Sequence, residues 1–408
     1  MMQKYNQAIE VKVIIYRDFK DGRQSIKLDG QIHYCNNRLM LSLVLDKANN
    51  TRNDYAEFFN HEIKKSDIKV AYASLDNINE NIGLKLCDKT IFFNNYKFVD
   101  NKCIVTATLN AISYEGPKCE MNKFRLSATA NDLQGYLNKF NSERKRVEMY
   151  PREIIYHQRE YVFQHDNERV WIETKEDNIE DLIYLISFFY AVPIECDISI
   201  INGKIIRQSP EWNLGEGTWK NCAFSQLFTD TESYDLFWDY LALVDNGKDI
   251  SNCMKIYIRE YVRSQQLDRE LQLHFYCRIL SQMADVKIKD KSYEKIKNFL
   301  KEYKISLQKV NEDFSKEQII DQDNNTIKNF YSLRNFFEHH WGSDQARDSL
   351  KNSRLLVRLE LAINIVILNM LGAKDVRFDS KLDQNCIFDS DVKYGHVYER
   401  LFNIDKVE

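Results

Sequence analysis

The hydrophobic period of this chain changes once, near residue 209, and that change limits the fold more than any other feature. Before it, apolar and polar residues mostly alternate, as in strands with one face in a core and one toward water. Residues 104–112 are the cleanest case: Val105, Ala107, Leu109 and Ala111 alternate with Thr106, Thr108 and Asn110. Residues 10–16, 24–33, 38–45, 68–73 and 153–163 also read as strand, with Asp, Asn and Gly in the intervals. Asp100-Asn101 marks a turn, and Asn202-Gly203 sits between two short apolar runs as a hairpin signal. One helix interrupts. Asp177-Asn178-Ile179-Glu180 resembles a capping box, residues 182–190 are apolar almost all round, and Pro193 ends the run.

After a Gly- and Pro-containing connector with two tryptophans, residues 209–220, the period becomes helical. Apolar residues recur at helical spacing over 234–244, 254–262, 267–283 and 293–303. Two further helices are expected over 325–340 and 345–371, with an irregular tail after Gly372. The expectation is an α+β protein: an antiparallel sandwich or barrel-like domain (1–208), a connector (209–228), a helical bundle (229–385) and a tail (386–408). At 408 residues, each of the two domains can bury its own core.

Composition narrows the chemistry. A hydrophobic content of 44% implies a folded protein, and a net charge of −4 supplies no global basic field for nucleic acid. Any nucleic-acid site must be local. Glu143-Arg144-Lys145-Arg146, the densest basic cluster, reads as a solvated loop. The nine cysteines include no Cys-x-x-Cys and no zinc-ligand spacing with His, which points to reduced thiols and a cytoplasmic protein. The first residues carry no apolar signal core. The longest apolar run, 355–371, contains Arg358, Glu360, Asn364 and Asn369, so it reads as a buried helix and not a membrane span. With no phosphate-binding glycine loop or dinucleotide fingerprint, neither a cofactor nor a metal is expected.

The chemistry-bearing stretch is Arg334-Asn335-Phe336-Phe337-Glu338-His339-His340-Trp341-Gly342. Arg presents a planar fork of donors that matches phosphate, and His exchanges a proton near neutrality. The spacing Arg-x4-His is common here, since Arg152 to His157 and Arg269 to His274 share it, and Arg159 to His165 fits a looser version. The first lies in a strand segment. The second lies within a helix, where five residues rotate the side chains roughly 140° apart, so His274 reads as a core histidine of the bundle. Only the copy at 334 carries Asn after Arg, and only it sits where a helix stops, before Gly342 and a Ser343-Asp344 cap. The alternative is structural: Arg334 pairs with Glu338 one turn on, and His339 caps exposed carbonyls.

Arg334, Asn335 and His339 at a helix end within an all-helical region resemble the Arg-Asn-x-x-x-His motif of HEPN ribonuclease domains. A β-rich half in front of such a domain resembles ApeA-type anti-phage proteins of bacteria. The resemblance implies an endoribonuclease that needs no metal and acts in phage defence, with tRNA as a target class. It also implies a homodimer pooling two motifs through the helical domain, and a phage-derived trigger at the β-rich domain. The RNA 2′-hydroxyl would attack the adjacent phosphate, leaving 2′,3′-cyclic phosphate and 5′-hydroxyl ends. Arg334 would stabilise the phosphorane and His339 would move the proton, its charged form favoured by the helix C-terminus. Asn335 would orient the Arg or the phosphate, or cap the helix; His340 and Glu338 would support. Adjacent residues diverge by about 100°, so at most one of His339 and His340 faces the phosphate. The competing class is a non-catalytic HEPN-like module that dimerises or binds nucleotides or partners.

Overall fold

A computed structural model of the chain describes residues 7–19, 22–36, 38–46, 63–75, 82–99, 102–129, 139–141, 146–148, 152–165, 169–210, 240–241, 244–287, 291–303, 305, 311, 327–339, 347, 350 and 355–372. The strands run β1 (Ile9–Phe19), β2 (Gly22–Cys35), β3 (Arg38–Asp46), β4 (Ile63–Lys64), β5 (Ile68–Leu75), β6 (Lys85–Leu86), β7 (Thr90–Ile91), β8 (Phe93–Val99) and β9 (Lys102–Leu109). They continue as β10 (Ala111–Glu115), β11 (Asn122–Thr129), β12 (Lys139–Asn141), β13 (Arg146–Glu148), β14 (Arg152–Tyr156), β15 (Arg159–His165), β16 (Arg169–Thr174), β17 (Cys196–Ile201) and β18 (Lys204–Gln208). The helices are α1 (Glu180–Tyr190), α2 (Asn252–Ser264), α3 (Arg269–Met283), α4 (Ser292–Glu302), α5 (Phe330–His339) and α6 (Leu355–Met370). The architecture is α+β, strand-rich first and helical after.

Two large antiparallel sheets stack. One has the order β5-β1-β2-β3-β9-β8 and the other β14-β15-β16-β11-β17-β18-β10-β6. Between them Ile9, Leu41, Leu43 and Val105 of the first sheet meet Tyr114, Trp171, Ile198 and Ile205 of the second. The opposite face of the eight-stranded sheet carries Phe124, Leu126, Phe163 and Ile172, which join α1 and the C-terminal helices in a second core. This sheet is therefore a middle layer with apolar contacts on both faces. That position explains why α1 is apolar nearly all round: Leu182, Leu185, Ile186, Phe188 and Phe189 are all buried between the sheet and the helices.

The alternating segment 104–112 is two strands, not one. β9 belongs to the six-stranded sheet and β10 to the eight-stranded one. Asp88 makes the break. Its buried carboxylate accepts the Asn110 N–H at 2.9 and 3.1 Å and the Ala111 N–H at 3.4 Å, while the Ser209 N–H donates to the Asn110 carbonyl at 2.8 Å. Backbone groups at the corner are satisfied without a continuing ladder, so the chain can change sheets. The Asn202-Gly203 hairpin forms as expected, with both residues at positive φ (51° and 81°) joining β17 to β18.

Helix boundaries differ from the periodic pattern where side chains cap. The expected helix over 325–340 begins at Phe330, because the Asn329 amide oxygen accepts the Ser332 N–H at 2.9 Å. α1 is opened by Asn178, whose Oδ1 accepts the Glu180 N–H at 2.8 Å. Asp177 instead accepts from Asn122 Nδ2 at 2.8 Å, tying the helix entrance to β11. The helix ends when Ala191 adopts a left-handed conformation (φ 51°), two residues before Pro193. The expected helix over 234–244 is described only at Tyr240, Leu241 and Val244. Asp100-Asn101, most of the 209–228 connector, the Arg144-Lys145 cluster and the tail lie outside the described residues. No disulfide joins the described cysteines. Among the described residues no helix is long and apolar enough to cross a membrane.

A charge pair crosses the middle of the eight-stranded sheet. β17 bulges at Asp197, since Arg125 pairs with Ile198 and Leu126 with Cys196. The bulged Asp197 accepts a two-pronged grip from Arg125, Nε to Oδ1 and Nη2 to Oδ2, both at 2.7 Å, with both side chains at most 5% exposed. Removing one partner leaves a buried charge without its counter-ion, so Asp197→Ala should lower the unfolding free energy by about 3–5 kcal/mol. Urea unfolding followed by circular dichroism checks this; a loss under about 1 kcal/mol would mean the fork contributes little.

Candidate active site

α5 has one apolar and one polar stripe. Phe330, Leu333 and Phe337 are fully buried, so the turns between them place Arg334, Asn335 and Glu338 at the surface. The helix packs against α3, and Glu338 reaches His274 of that helix. Arg334 Nη2 lies 2.5 Å from Glu338 Oε1, its Nη1 donates to Asn335 Oδ1 at 2.9 Å, and its guanidinium stands 5.8 Å from the Tyr331 ring centre. Glu338 Oε1 is also 4.0 Å from His274 Nδ1. The structure thus brings together Arg334, Asn335 and Glu338 of the sequence motif. His339 is the last residue of α5; its side chain, and all of His340, lie outside the described residues.

His274 stands apart from the core-histidine expectation. Its side chain is 18% exposed and lies at the rim of the Arg334 cluster, not deep within the bundle. Its pKa is lowered, first by burial and second by the neighbouring Arg334 charge, with Glu338 and Glu270 pulling the other way. The imidazole is consequently neutral at neutral pH and able to accept a proton. One turn before it on α3, Glu270 pairs with Arg347 at 2.5 Å, adding a second guanidinium to the neighbourhood. Cys277, three residues beyond His274, is buried and its thiol is pushed up mainly by burial, which leaves it an inert thiol.

The earlier copies of the Arg-x4-His spacing are structural. Arg152 to His157 spans a β-hairpin whose tip residues, His157 and Gln158, both have positive φ. His157 stacks on Tyr156 and approaches Asp245 at 3.5 Å, clipping the hairpin to the chain after the expected 234–244 helix. Arg159 pairs with Glu176 at 3.4 Å. Arg269 and His274 do lie on one helix, as the pattern indicated, but His274 works across to α5. His274, Glu270 and Arg347 were missed because their relation to Arg334 is made by helix packing, which no local spacing encodes. Among the described residues no group of three or more His, Cys, Asp or Glu is placed to hold a metal ion. Compared with known proteins, the chain matches no family model, no curated protein and no solved structure.

The lowered pKa of His274 has a defined consequence for stability. The unfolded imidazole binds a proton near pH 6.5, the folded one only at lower pH, so the unfolded state holds more protons between the two values. Stability from this residue is complete above about pH 6.5 and is lost as pH falls toward the folded pKa. Between about pH 7.5 and 5.5 the urea midpoint should drop more for the wild type than for His274→Gln. Equal drops would assign the acid sensitivity to other groups.

Proposed function

We propose that the chain is a metal-independent endoribonuclease of the HEPN type, acting in anti-phage defence, with tRNA as a target class and a homodimer as its working form. The observation that carries the reading is the clustering of Arg334, Asn335 and a neutral imidazole, His274, where the Arg-Asn-x-x-x-His helix meets its neighbour. RNA brings its own nucleophile in the 2′-hydroxyl. The protein must supply a proton acceptor, a proton donor and positive charge for the phosphorane. Arg334 fits the charge role, held in aim by Asn335. His339, at the C-terminal end of α5 where the helix dipole favours imidazolium, is assigned the proton shuttle. His274 is assigned to neutral acceptor duty or to positioning Glu338.

Glu338 holds the Arg334 fork in this resting arrangement. The pair is weak for a reason of geometry. On a helix, an acidic residue placed before a basic one at i,i+4 is better than the reverse, and here Arg comes first. With side chains 29% and 36% exposed, water screens it further, so the pair contributes on the order of 0.3–0.5 kcal/mol. A phosphate oxyanion, which offers the fork two acceptors, can displace the carboxylate. One motif per chain provides one shuttle, which is why a second copy facing the first completes the chemistry.

The second reading is a non-catalytic HEPN-like module that dimerises or binds partners, and the Arg334–Glu338 pair favours it to the extent that the guanidinium is already occupied. Incubating purified protein with total bacterial RNA in EDTA separates the two. On the nuclease reading, RNA is cut to 2′,3′-cyclic phosphate ends, before or after phage infection of the expressing cells. His339→Ala should lose about 10²–10⁴-fold and Arg334→Ala about 10²–10³-fold. RNA intact in both conditions would leave the binding module. Glu338→Gln, which removes the competing charge, should improve kcat/KM by about two- to five-fold; a loss of activity would instead make Glu338 part of the catalytic machinery.

A further inference from the structure

A cavity of about 810 Å³ opens where the middle sheet meets α1 and α2. It shares no lining residue with the Arg334 cluster. One wall is built from the ends of β3, β9 and β18 and the β9–β10 corner, the other from α1 and α2. Two exposed arginines line it from the two walls, Arg38 at the start of β3 and Arg259 on α2, along with Glu195 and with Glu180, which is paired to Lys255. Neither arginine has an ion-pair or hydrogen-bond partner for its side chain among the described residues, in a protein whose other arginines mostly find carboxylates. The side chains of Asn110 and Ser199 also make no hydrogen bond there, although Asn110 has both backbone groups engaged. Ile183, Ile258 and Val262 supply an apolar side. By contrast Ser187 and Ser209, also in the lining, are committed to neighbouring backbone.

We propose that this cavity binds a nucleotide, with the phosphates held between Arg38 and Arg259. The volume falls in the range of small-ligand sites, roughly 300–1,000 Å³, and is far larger than a lone phosphate needs. Two forks that match phosphate oxygens from opposite walls suit a polyanionic end. An uncommitted side-chain amide can read the edge of a heterocycle with its donor and acceptor pair, and the aliphatic side chains can cover the flat face. The site lies at a junction that a ligand would straddle. Arg38 and Asn110 come from the strand-rich layers, and Arg259 from α2, which packs on the same α3 that carries His274. α2 also reaches α6, where the Tyr261 hydroxyl donates to Glu360 Oε1 at 3.1 Å. The proposal stands apart from the nuclease reading, because it draws on none of that site's residues.

Equilibrium dialysis of the full chain against labelled AMP, ATP and GTP, with inorganic phosphate as a fourth probe, tests it. We expect saturable binding of at least one nucleotide, weakened ten-fold or more by Arg38→Ala and by Arg259→Ala and unchanged by Arg334→Ala. Arg38→Lys and Arg259→Lys keep charge and surface exposure while removing the fork, so an intermediate loss in them attributes the effect to phosphate geometry and not to misfolding. Three results would each overturn the proposal: no saturable binding of any nucleotide at millimolar concentration, binding that survives both alanine substitutions, or inorganic phosphate binding as tightly as the nucleotides. Loss of binding in Arg334→Ala would also overturn it, by moving the nucleotide to the α5 cluster.

Discussion

The grip of Arg125 on Asp197 is the constraint around which this chain is arranged. A charge pair in the middle of a sheet that is covered on both faces is costly to desolvate, and it is tolerable only with near-ideal geometry. Here the geometry is supplied by a bulge. Without the extra residue in β17, Asp197 would take its turn in the alternation and lie out of reach of Arg125. Surrounding groups complete the environment. The Tyr34 ring from β2 and the Trp171 ring from β16 flank the guanidinium at 5.4 and 5.9 Å, and the Tyr34 hydroxyl donates to the Asp197 carbonyl at 2.7 Å. Tyr34 thereby stitches the six-stranded sheet to the bulge. Nearby, fully buried Arg207 donates to the Tyr114 hydroxyl and to the Gln7 carbonyl. Burial, with the Asp197 charge second, pushes the Tyr34 phenol well above its ordinary pKa, so the donor is kept at every working pH.

Fixing β11 and β17 in this register decides what the helical face of the middle sheet presents. Phe124 and Leu126 flank Arg125 and point the other way, into the core shared with α1 and the bundle. A one-residue slip would bring the ion pair to that apolar face and carry Phe124 and Leu126 into the space between the sheets. The same register positions the entrance of α1, since Asn122 three residues before Arg125 bonds Asp177 and the carbonyl of Glu176. From α1 the chain of support continues. Asp181 accepts the Ile250 N–H at 2.8 Å and Lys255 of α2 lies 2.8 Å from the same carboxylate, so the first helix aims the second. α2 packs on α3, and α3 on α5. The Arg334 cluster is thus the far end of a line of contacts that begins in a strand register.

What was legible in the sequence is what depends on neighbours along the chain. Strand alternation, the Asn202-Gly203 turn and the helical period after the connector are all local and are present where residues are described, except that the strand expected over 153–163 turns back at His157 and Gln158 to make two. The break at Asn110 was invisible because it depends on a carboxylate 22 residues away, while the alternation itself runs through the corner unchanged. The same reason covers α5, whose start is set by one capping amide within a longer apolar pattern. It covers Asp177, read as a cap and used as an acceptor for β11 and the β17–β18 turn. The buried fork had no signature at all: Arg125 and Asp197 are 72 residues apart, and each alone reads as a polar interruption of a strand.

His274 shows why helix spacing misleads about sites. On its own helix it is remote from Arg269, and the 3.6-residue geometry that excluded that pairing was sound. The relevant cation sits on another helix. The result is two matched charge pairs beside α3, Arg347 with Glu270 and Arg334 with Glu338, with a neutral imidazole beside the second pair. Each guanidinium is matched, so the cluster attracts a polyanion only as far as its carboxylates can be displaced, and a net charge of −4 adds no steering from a distance. On the nuclease reading such a site is quiet by construction. Its charge is spent internally, through pairs weak enough to break, and any factor that rotates α5 relative to α3 acts on Glu338 first. The carboxylate bonded to Arg334 and near His274 sets both the availability of the fork and the proton affinity of the imidazole. Drawing it away from both would free the guanidinium and leave burial and Arg334 opposed only by Glu270 at His274, lowering its pKa further and keeping it neutral.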